Sequence, residues 1–304
     1  MVSHDLRGLV SRRANEFFDQ LEGVGDGAPD DIHDARVAAR RLRELLPLLT
    51  NQHGVNQAIE VLSDTGRQLG RVRDLDVMIE LLDEKEATVP PAALAIAAAR
   101  RTIRSKLQRE RRALAKAVEG LDLSVLEALR GSQTGRIWRV VGRVFPRPDT
   151  FGPMLRDRIG LRAHKLRTSI HHAGGLFFPN RLHSTRKAVK KLRYAVEVAG
   201  DLRLWNPPHM LSDLRKSQNT LGTLRDATVL REALGSLTDK AVPAEEHAIL
   251  LNTLDADISR AHEEYLARRG RLLAIADACD RFVTRRSRPR IAVNAMLRLV
   301  RKAS

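Results

Sequence analysis

HDARVAARRLR runs from His33 to Arg43, and a near copy, HSTRKAVKKLRY, runs from His183 to Tyr194, 150 residues later. A second motif follows each copy: LGRVRDLDV from Leu69 and LGTLRDATV from Leu221, offset by 152. Two motifs in the same order at nearly the same spacing mark an internal duplication. Helical periodicity divides each copy into two faces. From His33, Arg36, Arg40 and Arg43 fall within about 80° of one another on an ideal helix, while Ala38, Leu42, Leu45 and Leu46 lie opposite. The second copy repeats this division, with His183, Arg186, Lys190 and Arg193 on the stripe and Ala188, Val189, Leu192, Ala195 and Val196 opposing it. Asp30 and Asn180 are read as the capping residues that place each histidine three positions into its helix.

Working outward, Pro and Gly cut the chain into long helical segments, and no alternating strand is evident, so the expected class is all-α. Breaks are expected at 23–30, around His53-Gly54, at 89–91, at 174–180, at 205–208 and at 240–243. FPRPDTFGP, from Phe145 to Pro153, is the candidate linker between a first repeat, 1–145, and a second, 153–304. With 304 residues, 43% of them hydrophobic, the chain is long enough for a sizeable core. It has no run of apolar residues long enough to span a bilayer. Its start lacks a secretory pattern, so a cytoplasmic protein without a membrane partner is expected. A lone cysteine, Cys279, leaves no internal disulfide framework.

The 53 basic residues outnumber 37 acidic ones, giving a formal charge of +16, and only ten of the 53 are lysine. Arginine's planar fork suits phosphate oxygens, although an arginine-rich genome would write the same composition. A cationic stripe on one helix usually means a solvated face. Here neither stripe has an evident acidic partner at i+4 within it, so neighbouring cations repel, and a polyanion would remove that cost. The stripe from His33 to Arg43 extends about 15 Å, enough to follow several linked phosphates.

These motifs resemble the CHAD domain, a conserved-histidine α-helical family. The matching residues are His33, Arg36, Arg40, Arg41 and Arg43 with LGRVRD, then His183, Arg186, Lys187, Lys190, Lys191, Arg193 and Tyr194 with LGTLRD. The resemblance covers essentially the whole chain. It implies two pseudo-symmetric antiparallel helical bundles around a basic central cavity that binds inorganic polyphosphate, with some relatives on polyphosphate granules and others fused to a triphosphatase. The acidic E-x-E-x-K motif of that companion domain does not occur here, so a stand-alone binding module without catalytic residues or cofactor is expected.

Further candidates are less specific. Arg73-Asp74 and Arg225-Asp226 of the LG-x-x-RD motifs fit buried pairing between helices, or aspartates that aim arginines into the cavity. The motif glycines would permit close helix packing. Arg100, Arg104 and Arg111 share a face and are candidates for another cavity wall. Metal binding is disfavoured because His33 and His183 sit among cations rather than carboxylates or thiolates. The competing classes are a non-specific nucleic-acid binder, which 4% aromatic content serves poorly, and a polyphosphate-processing enzyme, for which no acidic metal cluster is evident.

Overall fold

The computed structural model describes residues 2–49, 52–130, 148–236 and 242–284. Among them are nine α-helices, three single-turn 3₁₀ segments and no strand. The first half contains α1 (Val2–Gly23), α2 (Pro29–Leu45), α3 (Gln52–Thr88), α4 (Ala93–Glu119) and α5 (Ser124–Arg130). The second contains α6 (Pro148–Ala173), α7 (Pro179–Asp201), α8 (Pro208–Gly235) and α9 (Ala244–Thr284). No described helix is long and apolar enough to cross a membrane.

The two motif helices start alike, but not at the expected caps. Ala28 and Phe178 precede the helices in extended conformation, and Pro29 and Pro179 take the first helical position. Proline suits that place because its missing N–H would be unsatisfied there anyway and its φ is already helical. Asp30 and Asn180 therefore sit second in their helices, and each histidine sits fifth. Asp30 and Asp31 still favour the positive end of the α2 dipole. The Pro/Gly-rich stretch expected as a linker also differs: Pro148–Pro153 form the first turns of α6, and Phe151 is buried there. Residues 145–147 lie outside the described residues, as do 240–241 of the last expected break. The break expected around His53-Gly54 falls slightly earlier, since α3 begins at Gln52.

Consecutive helices pack against one another within each half: α1 on α2, α2 on α3, α3 on α4, then α6 on α7, α7 on α8, α8 on α9. Helix α9 also closes back on α6, and α5 covers α1. Across the halves, α1 meets α6, α2 meets α7, α3 meets α8 and α4 meets α9. Ile32, Ala35, Ala39 and Leu42 of α2 and Leu182, Val189, Leu192 and Ala195 of α7 are buried, as the apolar faces require. These residues join one contiguous apolar cluster that runs from Leu6 to Cys279 through both halves. Burying each such side chain stabilises the fold by about 1.5–3 kcal/mol before chain entropy is set against it.

Polar contacts also cross between halves. Glu246 of α9 accepts hydrogen bonds from the backbone N–H groups of Leu94 and Ala95, at 2.8 and 3.3 Å, and so caps the start of α4. Lys85 Nζ, on a buried residue, lies 2.5 Å from Asp257 Oδ2, and Arg13 pairs with Asp201 at 2.8 Å. The apolar cluster fixes the two motif helices against each other, with Arg36, Arg40 and Arg43 of α2 and His183, Arg186 and Lys190 of α7 turned away from it.

Candidate functional site

The stripes border one cleft of about 600 Å³. Arg36, Arg40 and Arg43 line it from α2, and His183, Arg186, Lys187, Lys190 and Tyr194 from α7. Lys191 of α7 and Arg158 and Arg162 of α6 complete the cationic lining. Among the described residues, nine Arg and Lys side chains thus meet a single carboxylate, Glu44. Pro47, Ile59 and Ser63 form a less charged wall, where Arg43 donates a hydrogen bond to Ser63 at 3.3 Å.

Burial, and after it the crowding of like charges, shifts the pKa of several of these groups downward. Burial, followed by repulsion from Arg40, Arg186, Arg36 and Arg193, pulls the Lys190 ammonium down to about 6. Arg40 falls to about 10, through burial and then Arg36, with opposing help from a hydrogen bond to Tyr194. Burial also lowers Arg186 and Arg158, offset in part by Asp226 and Glu44 respectively. Lys191 is lowered by burial and then Arg162, and His183 by burial and then Lys187, so its imidazole is held neutral near pH 7. The cleft thus holds little internal counter-charge for its basic side chains.

The LG-x-x-RD motifs reveal their part here. Asp74 of α3 accepts a hydrogen bond from Arg36 at 3.1 Å, holding that arginine at the cleft. A Cβ on Gly70 would stand 3.4 Å from the Arg36 guanidinium, and one on Gly222 would stand 4.0 Å from that of Arg186. Both glycines therefore leave room for an arginine of the neighbouring helix, rather than for close approach of two helix backbones. Asp226 is half-buried near Arg186; burial raises its pKa while Arg186 pulls it back. Of the two readings of the motif, the aspartate that aims an arginine describes Asp74. A smaller cavity of about 90 Å³ adjoins the cleft, sharing Arg36, His183 and Arg186 and adding Asp74, Arg225 and Asp226. A third, of about 260 Å³, shares His183 and Arg225.

Several expected residues lie elsewhere. His33 is exposed and does not line the cleft; its pKa is lowered by partial burial and then by Arg73. Arg41 is also outside the lining. Arg193 is buried, donates to Gln218 at 2.9 Å and to Glu197 at 2.7 Å, and stacks its guanidinium 4.4 Å from the Tyr194 ring. The second stripe is therefore balanced at i+4, contrary to expectation, whereas Pro47 occupies the corresponding place four residues after Arg43. Arg73 pairs with Glu80 at 2.7 Å. Arg100 pairs with Asp83 and Glu86 at 2.9 and 2.6 Å, Arg111 pairs with buried Asp76 at 3.0 Å, and Arg104 is exposed. Those three arginines of α4 do not form a cleft wall because acids of α3 hold the first and last of them.

The wall comes instead from α6, through Arg158 and Arg162, which sequence reasoning missed. Their segment, RDRIGLR from Arg156, reads as a mixed-charge surface because Asp157 intervenes. The signal available was their i, i+4 spacing, which stacks them on one face. Among the described residues, no group of three His, Cys, Asp or Glu side chains is arranged to hold a metal ion.

The CHAD domain family model matches residues 9–235. Among solved structures, PptA from Streptomyces chartreusis is similar, with a TM-score of 0.61 and 15% identity, over 88% of this chain and 98% of that one. The CHAD domain from the plant Ricinus communis is similar too, with a TM-score of 0.57 and 19% identity, over 94% of this chain and 92% of that one. No curated protein matches the chain.

Proposed function

This chain belongs to the CHAD domain family, and from that premise we propose that it binds inorganic polyphosphate in the cleft bordered by α2 and α7. The observation that carries the reading is the nine-to-one excess of basic over acidic side chains among the described residues there, drawn from both halves of the chain. A single phosphate would leave most of those charges uncompensated, whereas a linear polyanion places one negative charge or more against each. In this reading the halves are an internal duplication, 1–145 and 153–304, forming two pseudo-symmetric antiparallel bundles around the basic cavity. The contacts between α1 and α6, α2 and α7, α3 and α8, and α4 and α9 support it, since each helix meets its counterpart. The chain acts as a binding module in the cytoplasm, where polyphosphate, including granules, would be its partner. The sole cleft carboxylate is already engaged by arginines, which favours binding over metal-assisted transfer.

A salt series tests this directly. Several charge-assisted contacts release counterions from the polymer, so log K for long-chain polyphosphate should fall steeply and linearly with log salt concentration. In competition at physiological salt, polyphosphate should displace duplex DNA. Affinity that ignores salt, or a preference for DNA, would overturn the assignment.

Gly70 supplies a second prediction. A methyl group there makes ordinary contact with Arg36, so Gly70→Ala should keep polyphosphate affinity and stabilise the helix by up to about 1 kcal/mol. Gly70→Leu would need the space that the guanidinium occupies, and should weaken binding several-fold with the helical circular dichroism unchanged. Equal binding by both variants would remove Gly70 from the argument.

A further inference from the structure

Resting on the polyphosphate reading, a further inference concerns Glu44, the one acid among the described residues that line the cleft. Glu44 and Tyr194 hold the same place in the two motif copies, 150 residues apart. Their surroundings differ. The Tyr194 side chain faces Arg40 across the halves, and both line the cleft. Glu44 is buried, and its Oε1 accepts from Arg158 Nε at 2.9 Å, with Arg158 Nη2 at 2.7 Å and Arg162 Nη2 at 3.5 Å.

We propose that Glu44 is a positioning residue that holds Arg158 and Arg162 at the cleft, giving it a second phosphate-binding end on the α6 side that the other motif copy lacks. Long arginine side chains in a field of like charge gain by swinging into water, and they lose rotamer freedom when ordered. A buried carboxylate offsets both effects. It occupies the Nε and Nη2 edge of Arg158 and leaves the remaining donors of the fork for a ligand. Arg43 and Lys191 line the cleft with these two arginines, so four cations surround one carboxylate and an excess of three remains for phosphate. Near the corresponding place of the second copy, Glu197 takes up Arg193 and Arg215, Gln218 also accepts from Arg193, and none of these residues lines the cleft. The bound polymer is therefore held asymmetrically, with more of its phosphates toward α6.

Simple electrostatics makes the opposite forecast for Glu44, since deleting an acid from an anion site should tighten binding. Titrations of wild type, Glu44→Ala, Glu44→Gln and the double variant Arg158→Gln/Arg162→Gln with long-chain polyphosphate, each across a salt series, separate the two. Glu44→Ala should bind about tenfold more weakly despite its added positive charge, and with a shallower salt slope. Glu44→Gln, whose amide oxygen still accepts from Arg158, should recover most of the affinity. The double variant should show the same shallower slope as Glu44→Ala, and it keeps the test decisive if Glu44→Ala fails to fold. Tighter binding by Glu44→Ala, or a wild-type slope in the double variant, would overturn the proposal. Absence of saturable binding by wild type would instead sink the polyphosphate reading beneath it.

Discussion

Reversing charge on either motif helix should cut polyphosphate affinity by at least about a hundredfold, whether the change is Arg36→Glu with Arg40→Glu on α2 or Arg186→Glu with Lys190→Glu on α7. Each pair removes two charge-assisted contacts, worth about 1.5–3 kcal/mol apiece, and places two carboxylates against the polymer. The two pairs should act alike because they face one space. Arg40 is the strongest charge acting on Lys190, and Arg36 and Arg186 line the same two adjoining cavities. Neither pair touches the apolar faces of its helix, so circular dichroism should remain that of the wild type. Calorimetry reads affinity and stoichiometry together. If each folded variant kept wild-type affinity at half the stoichiometry, the halves would be binding separately and the shared cleft would be wrong. Arg193 is excluded from such a test because it is packed against Glu197 and Gln218, and its reversal would disturb the fold.

The second large effect expected is a pH dependence centred on Lys190. In the free protein its ammonium is pulled to about 6, whereas an unfolded chain would hold that proton up to about 10.5. Between those values the unfolded state binds more protons, so this residue makes the free fold less stable as pH falls through that range, with the full penalty reached below about 6. A bound polyanion reverses the local field and raises the lysine pKa. Binding at pH 8 should then take up close to one proton at this residue, and affinity should weaken as pH rises, by up to about tenfold per unit. His183, also held low in the free protein, adds its own uptake nearer neutrality. Proton uptake is measured by titrating in buffers of different ionisation enthalpy. Lys190→Met should lose the uptake at pH 8, bind polyphosphate more weakly and melt higher than wild type when free of ligand. A variant that melted lower and kept the wild-type uptake would remove Lys190 from the site. Stability and affinity moving in opposite directions is the signature of a site that is strained until its ligand arrives.

Much of this arrangement was legible in the chain because the motif repeats twice. Repetition of both faces of the His33 and His183 helices identified the core side and the cationic side together, and Arg36, Arg40, Arg186 and Lys190 line the cleft as that pattern implies. What a repeat hides is where the copies differ. Arg43 and Arg193 are identical in sequence and opposite in fate, since Pro47 follows one and Glu197 the other. The same asymmetry separates Glu44 from Tyr194, and with it the placement of Arg158 and Arg162. Those arginines lie on a helix that belongs to neither motif, and only the packing of α6 against α7 brings them to the cleft. The arginines of α4 failed for a related reason. Their neighbours in space, Asp83, Glu86 and Asp76, sit on α3, and an unpartnered stripe in one helix says nothing about acids on the next. The caps misled locally, because Asp30 and Asn180 are good capping residues that a preceding proline at the first helical position moves two places into the helix.

One polymer should lie between the two motif helices, touching both halves of the chain. A crystal structure of the protein grown with long-chain polyphosphate tests it without intermediaries. A string of phosphates should stand within hydrogen-bonding distance of Arg36 and Arg40 on one side and Arg186 and Lys190 on the other, continuing toward Arg158. Phosphates bound only on the outer surface, with those four side chains left as they stand in the free protein, would contradict it.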